Sequence, residues 1–414
     1  MLIRRLRQIE NPARTRRSDR EVPAQEAGLK QETIEAIWDS VLAYYRLGLQ
    51  PAMALCLRVH GKVVLDRAVG HARGNGPDDA PGAERIEASP ETPFTLFSAS
   101  KPITAMLAHG LVERGLLKLD LPVAAVLPEF DAPGKCDITL RHVLSHRAGL
   151  PHVNGAINLD KLGDHAYIRA ALGDLKMSST SGKNLAYHAL TGGYILSEMM
   201  RQVSGKSART LQKKWVCEPL GMSLMNYGLT QEHRQRAAVD TFTGPPTIYP
   251  LSKLLEKALG MGVKEVCEVT SDARFLDAVV PSANIFATAN EACRYFEMLR
   301  CGGELDGQRI FAPETVARAI APTHFTEFDS VIKLPISYGL GFMLGNPLLS
   351  PFGPRSEQAF GHLGFTNVLV WADPKRNLSA ALLNSGKPLI TPEQLLWLNI
   401  PRVINKMISQ KAAG

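Results

Sequence analysis

The sequence lacks several patterns, and each absence excludes a class of protein. None of its six cysteines form a Cys-x-x-Cys pair. Cys56, Cys136, Cys217, Cys267, Cys293 and Cys301 are scattered, mostly among apolar neighbours. They read as reduced, mostly buried thiols of a cytoplasmic protein, not as a disulfide framework. No stretch reaches the apolar length of a membrane span. The N-terminus has no apolar run of signal-peptide length, and Glu10, Asp19 and Glu21 argue against a transit peptide. No Gly-x-Ser-x-Gly occurs, which disfavours an α/β-hydrolase. His142 and His146 stand four apart with His152 beyond, but no His-Glu-x-x-His accompanies them. They read as ordinary helix and loop histidines, and neither a metal nor another cofactor is called for. There is no internal repeat.

The 414 residues suffice for a large core or two structural lobes, and 45% hydrophobic with 21% charged residues is the balance of a globular chain. The net charge of +7 owes much to Arg4, Arg5, Arg7, Arg14, Arg16, Arg17 and Arg20. Residues 1–28 are therefore expected to be a flexible, solvated, Arg-rich tail, with no nucleic-acid partner.

Helical spacing recurs along the rest of the chain. Ile34, Ile37, Trp38, Val41 and Tyr45 line one face of a helix over residues 31–45. Ala52–His60 and Val63–Ala68 are β-type runs, with Gly61 and Lys62 between them predicting a hairpin. Thr139 is placed to cap a short helix that stops at Gly149. Leu185–Val203 reads as a helix with Tyr187 near its start. Residues 228–280 are irregular, with Pro245, Pro246 and Pro250 in one loop. Asn367–Trp371 and Leu378–Leu383 are runs joined by the turn Asp373-Pro374-Lys375-Arg376-Asn377. A helix from Pro392 to about Lys406 closes the chain. Strands near both ends with helices between predict an α+β fold, one antiparallel sheet flanked by helices with an inserted, mostly helical lobe.

The chemistry centres on Phe97-Ser98-Ala99-Ser100-Lys101. A stretch poor in helix formers enters it, and a helix with Ile103, Met106, Leu107 and Leu111 leaves it. Ser98 then stands at a helix N-terminus, and Lys101 projects one turn later from the same face. A hydroxyl there with an amine beside it is a nucleophile–base pair, and first-turn N–H groups favour a developing negative charge. A second Ser-x-x-Lys, Ser330 to Lys333, lies in a stretch closed by Pro335 and opens no helix.

Three stretches taken together, Ser98-x-x-Lys101, Tyr187-His188-Ala189 and His362-Leu363-Gly364, resemble in order and spacing the serine β-lactamase and penicillin-recognising superfamily. The class C-like branch and the family VIII carboxylesterases are the most similar in pattern. Leu144 to Pro151 and Gly361 to Thr366 are similar to accessory segments of that family. The resemblance implies a single catalytic domain over residues 29–410, with an α/β lobe at about 29–125 and 281–410 and a helical lobe at about 126–280. It implies Ser98 as nucleophile and Lys101 and Tyr187 as the general base and acid, in either assignment. It implies an oxyanion hole from the backbone N–H groups of Ser98 and Phe365. His362, Leu363, Gly364 and Ala189 would bind substrate, with Gly364 letting it approach the backbone. A free lysine is only about 0.04% neutral at pH 7, so Lys101 needs desolvation or nearby positive charge to act as a base.

Two departures bear on substrate. Ala189 stands where the lactamases carry Asn and cannot hydrogen-bond an amide through its side chain. His362 replaces a lysine and is a poorer anchor for a carboxylate. A small-molecule, uncharged ester is the expected substrate. A β-lactamase or D-alanyl peptidase is the alternative, and a catalytically silent scaffold of the same fold is the non-enzyme alternative.

Overall fold

The computed structural model describes residue 9, residues 14–155, 157–245, 253, 256, 260–347, 349–388 and 391–410. Arg4, Arg5, Arg7, Pro246 and Pro250 lie outside the described residues.

A ten-stranded antiparallel sheet forms the frame. Its centre joins the two ends of the chain: Ala52–Val59 pairs with Lys62–Arg73 on one side and Leu378–Asn384 on the other. From there the order runs through Leu369–Asp373, Phe360–Leu363, Met343–Leu344 and Pro335–Tyr338 to the edge at Glu327–Phe328. The first hairpin turns on His60 and Gly61, both at positive φ, the backbone of a two-residue turn that matches strand twist. Lys62 is thus the first strand residue, not part of the turn.

Strand alternation explains the layers. Met53, Leu55, Leu57, Leu369, Trp371 and Leu382 face one side. There they meet α1 (Gln31–Tyr45) and the C-terminal helix Asn399–Met407 through Ile34, Ile37, Trp38, Ile400 and Ile404. Ala54, Cys56, Val370, Ala372 and Ala381 face the other side. Those small side chains let the helix Ala289–Arg300 lie close to the sheet, and α2 (Lys101–Glu113) packs in the same core.

Residues 14–28 correct the expectation of a free tail. Arg16–Arg17 adds a short edge strand to Lys62–Arg73. Arg16 pairs with Glu87, Arg17 with Glu21, and Arg20 with Asp66 and Glu91. An open sheet edge and acidic partners supplied from elsewhere order a segment whose composition alone suggests solvation.

A second, three-stranded sheet fastens the Phe97–Lys101 segment. Phe94–Thr95 pairs with Ile285–Ala287, which pairs with Asn226–Tyr227. The Leu96 N–H donates to Ile285 O (2.8 Å), and the Ile285 N–H donates to Ser100 Oγ (3.1 Å). Between these strands the chain forms the short helix α3 (Leu140–Leu144), α4 (His165–Gly173) and α5 (Thr191–Ser204). Thr139 caps α3 and His142 Nδ1 closes the capping box, which gives that histidine a structural task.

The packing account makes a pair of expectations for urea denaturation. Ala381→Leu, which overfills the small-residue face, lowers unfolding free energy by about 1–3 kcal/mol. Leu382→Ala on the opposite face costs about 2–5 kcal/mol. A neutral Ala381→Leu would contradict close packing of the helix at that face.

Candidate active site

The segment Phe97–Ser100 is a single 3-10 turn that feeds directly into α2, so Ser98 and Lys101 share one face. Lys101 Nζ lies 3.1 Å from Ser98 Oγ. It also donates to Ala189 O (2.8 Å) and Ser282 O (3.3 Å). The amine is buried, and burial holds its pKa well below the ordinary lysine value. A neutral amine has two N–H groups and one lone pair. The two carbonyls take both N–H groups, which leaves the lone pair facing the Ser98 hydroxyl.

Tyr187 completes the cluster. Its hydroxyl neighbours the Ser98 hydroxyl, and its ring lies 4.8 Å from Lys101 Nζ. Burial pushes its phenol above the ordinary tyrosine value, so it is a phenol, not a phenolate, across the neutral range. Tyr187 does not stand at a helix start, as its sequence suggests: α5 begins four residues later, at Thr191. Three distant groups hold it instead. The Ala186 N–H donates to His146 O (3.1 Å), the Tyr187 N–H to Asp329 Oδ1 (3.3 Å), and the His188 N–H to His146 Nδ1 (3.2 Å). The Asp329 carboxylate also accepts from Val331 and Ile332, folding the second Ser-x-x-Lys stretch into a turn whose Ser330 hydroxyl donates to Leu185 O. That stretch braces Tyr187.

The Ser98 and Phe365 amides have no hydrogen-bond partner among the described residues. Each borders a non-glycine residue in the left-handed region, Phe97 at φ 49° and Thr366 at φ 63°. For a bulky or β-branched residue this costs free energy, and such strain collects at functional sites. The Phe97 and Phe365 rings touch, with centroids 5.4 Å apart. Behind Phe97, Lys387 Nζ lies 5.0 Å from its ring and 3.1 Å from Asp240 Oδ1, an ion pair with both partners buried.

The His362 stretch departs from its expected part. His362 and Leu363 end the strand Phe360–Leu363; they do not enter one. None of His362, Leu363 and Gly364 lines the cavity beside Ser98, whereas Ala189 and Phe365 do. His362 is buried behind Tyr187, ring centroids 6.1 Å apart, and burial pushes its pKa down to about 3. A Cβ on Gly364 would stand 2.5 Å from Leu96 O and 2.7 Å from Val368 Cβ. The Leu96 backbone, just ahead of Ser98, fills that space, so the glycine serves a close approach of backbone to backbone.

Sequence reading took His146 for an ordinary histidine and passed over Asp329, Asp240 and Lys387. His146 carried a usable signal, since it sits in the stretch before Gly149 that matches the family pattern. Asp329 and the ion pair act across more than a hundred residues and left no local trace. Among the described residues no group of three His, Cys, Asp or Glu side chains is placed to hold a metal ion, and no helix is long and apolar enough to cross a membrane.

The family model described as Beta-lactamase matches residues 43–403. The chain is 30% identical over 329 residues to the esterase/beta-lactamase LipL of Mycobacterium tuberculosis, covering 76% of this chain and 75% of that one. It is 29% identical over 308 residues to the esterase EstB of Burkholderia gladioli, covering 69% and 72%. A solved penicillin-binding protein homologue from Caulobacter crescentus is similar at a TM-score of 0.78 and 27% identity, covering 92% of this chain and 99% of that one. A family VIII carboxylesterase shares the fold at a TM-score of 0.76 and 24% identity, covering 90% and 98%. With a match over most of its length and a sheet-and-helix frame of the same kind, the chain belongs to the beta-lactamase family.

Proposed function

We propose that this protein is a serine carboxylesterase that cleaves small uncharged esters through an acyl-enzyme on Ser98. The single observation that carries the reading is the Lys101 amine, buried with two carbonyls on its N–H groups and the Ser98 hydroxyl on its remaining side. Lys101 takes the Ser98 proton as Oγ attacks the ester carbonyl. The carbonyl oxygen becomes an oxyanion between the Ser98 and Phe365 amides. Collapse expels the alcohol, and the proton returns to it from Lys101 through the Tyr187 hydroxyl. Water then attacks the acyl carbonyl as Lys101 takes its proton, and collapse breaks the bond to Ser98 Oγ, which takes that proton back as the acid leaves. A catalytic domain at about 29–410 follows from this reading. The six free cysteines, four of them buried, suit a reducing compartment such as the cytoplasm.

Esters are favoured over lactams by two features of the site. Ala189 has no polar side chain, and its carbonyl is already engaged by Lys101. His362 is buried, neutral and outside the cavity, so it offers a substrate carboxylate no charge. Missing polar partners cost orders of magnitude for substrates that depend on them. The reading also accommodates the names of the relatives, which include esterases.

Two experiments test it. Turnover of p-nitrophenyl butyrate is expected to exceed that of nitrocefin, and Ser98→Ala should abolish both ester turnover and labelling by a fluorophosphonate. Nitrocefin turnover equal to or above the ester rate would overturn the substrate order, and labelling that survives Ser98→Ala would remove the nucleophile. The second concerns the brace on Tyr187. Asp329→Ala is expected to lower kcat by about 10- to 100-fold with KM changed less than about threefold, in keeping with loss of positioning. Asp329→Asn keeps an acceptor oxygen and should restore most of kcat. An Asn variant as slow as the Ala variant would count against the brace.

A further inference from the structure

The cavity beside Ser98 is larger than a short acyl group requires. Its volume is about 450 Å³. At ~30 Å³ per water in the liquid, that is room for roughly fifteen water-sized groups. It runs from Ser98 into the helical lobe, between Ile168 and Leu172 of α4 on one side and Phe275 and Val280 on the other. Such walls reward burial of methylene groups at about 0.8 kcal/mol each.

Several polar side chains share this mostly apolar lining, and among the described residues Tyr194 is the one of them whose hydroxyl is buried without a partner. Tyr194, on the first turns of α5, contributes to the cavity wall and packs among partly buried apolar neighbours. Its hydroxyl is buried and has no hydrogen-bond partner among the described residues. A buried orphan hydroxyl costs about 1–3 kcal/mol, and this one belongs to a residue of the cavity wall, where a bound group can supply its partner. Phenylalanine at this position would pack as well without that cost.

We propose that the cavity binds an apolar portion of the ester longer than about six carbons, bearing one hydrogen-bonding oxygen that meets the Tyr194 hydroxyl. The portion is either the acyl chain or the alcohol. The proposal rests on the esterase reading above, and its test separates the failure of one from the failure of the other.

The experiment measures kcat/KM on two ester series, p-nitrophenyl esters of acyl length two to twelve and alkyl acetates of the same range. On at least one series the value is expected to rise about tenfold or more from the shortest member to an optimum beyond six carbons. Ala171→Trp, which crowds the exposed edge of the cavity, should cut the octyl-to-ethyl ratio by about tenfold on that series. The ratio is independent of how much of the variant folds. For the Tyr194 contact, octyl substrates carry a hydroxyl at successive carbons. At one position the hydroxyl should raise kcat/KM over the plain chain by several-fold, and Tyr194→Phe should erase that gain. Flat or falling profiles on both series, with turnover still dependent on Ser98, overturn the proposal and leave the esterase reading standing. Gains at no position, or gains that survive Tyr194→Phe, overturn the tyrosine contact. An absence of Ser98-dependent turnover on every ester defeats the esterase reading itself.

Discussion

The burial of one amine governs the site. A lysine held away from water loses its charge unless an anion offsets it, because desolvation penalises the ammonium form. Among the described residues no carboxylate pairs with Lys101. Its contacts are a hydroxyl and two carbonyl oxygens, and its aromatic and imidazole neighbours are Tyr187, His146 and His362. The same burial pushes the pKa of His362 and of His188 down to about 3, so the histidines around it stay uncharged. The site sets the buried Lys101 amine directly beside the Ser98 hydroxyl.

Holding these groups together takes parts from most of the chain. Ser98 and Lys101 come from one turn and one helix, but the carbonyls beside the amine come from Ala189, just before α5, and from Ser282, more than ninety residues further on. Gly193 lets α5 lie against the Ser282 segment; a Cβ there would come within 2.2 Å of Ser282 Oγ. Tyr187 is fixed by backbone bonds to His146 and Asp329. The left-handed residues Phe97 and Thr366 show where backbone strain is accepted to present the Ser98 and Phe365 amides. The Phe97–Phe365 contact and the buried Lys387–Asp240 pair behind it support that strained corner.

Much of the frame was legible because its causes are local. The apolar spacing of α1, the β-branched runs either side of His60 and Gly61, and the turn before Leu378 are short-range patterns, and the structure follows them. Ser98 and Lys101 were legible for the same reason, since one helical turn joins them. The errors came where distant contacts decide. Residues 14–28 look solvated until an open strand edge claims them. Leu185–Val203 looks helical throughout, yet its first residues spend their amides on His146 and Asp329 and the helix waits until Thr191. His362 stands one residue from the cavity-side strand end, and only the pleat of its strand, paired to Val370, turns it behind Tyr187.

The central claim, that burial holds the Lys101 pKa below the ordinary lysine value, has a direct measurement: titration of the Lys101 ε-carbon by NMR in protein labelled at lysine, assigned with Lys101→Arg. A folded-state pKa below the ordinary value means the amine binds its proton only as pH falls under the range where free lysine already carries one. The account therefore predicts a midpoint well below 10.5, with the resonance at its neutral position on the alkaline side of that midpoint. A midpoint at or above the ordinary lysine value would show a charged amine beside Ser98 and contradict the account.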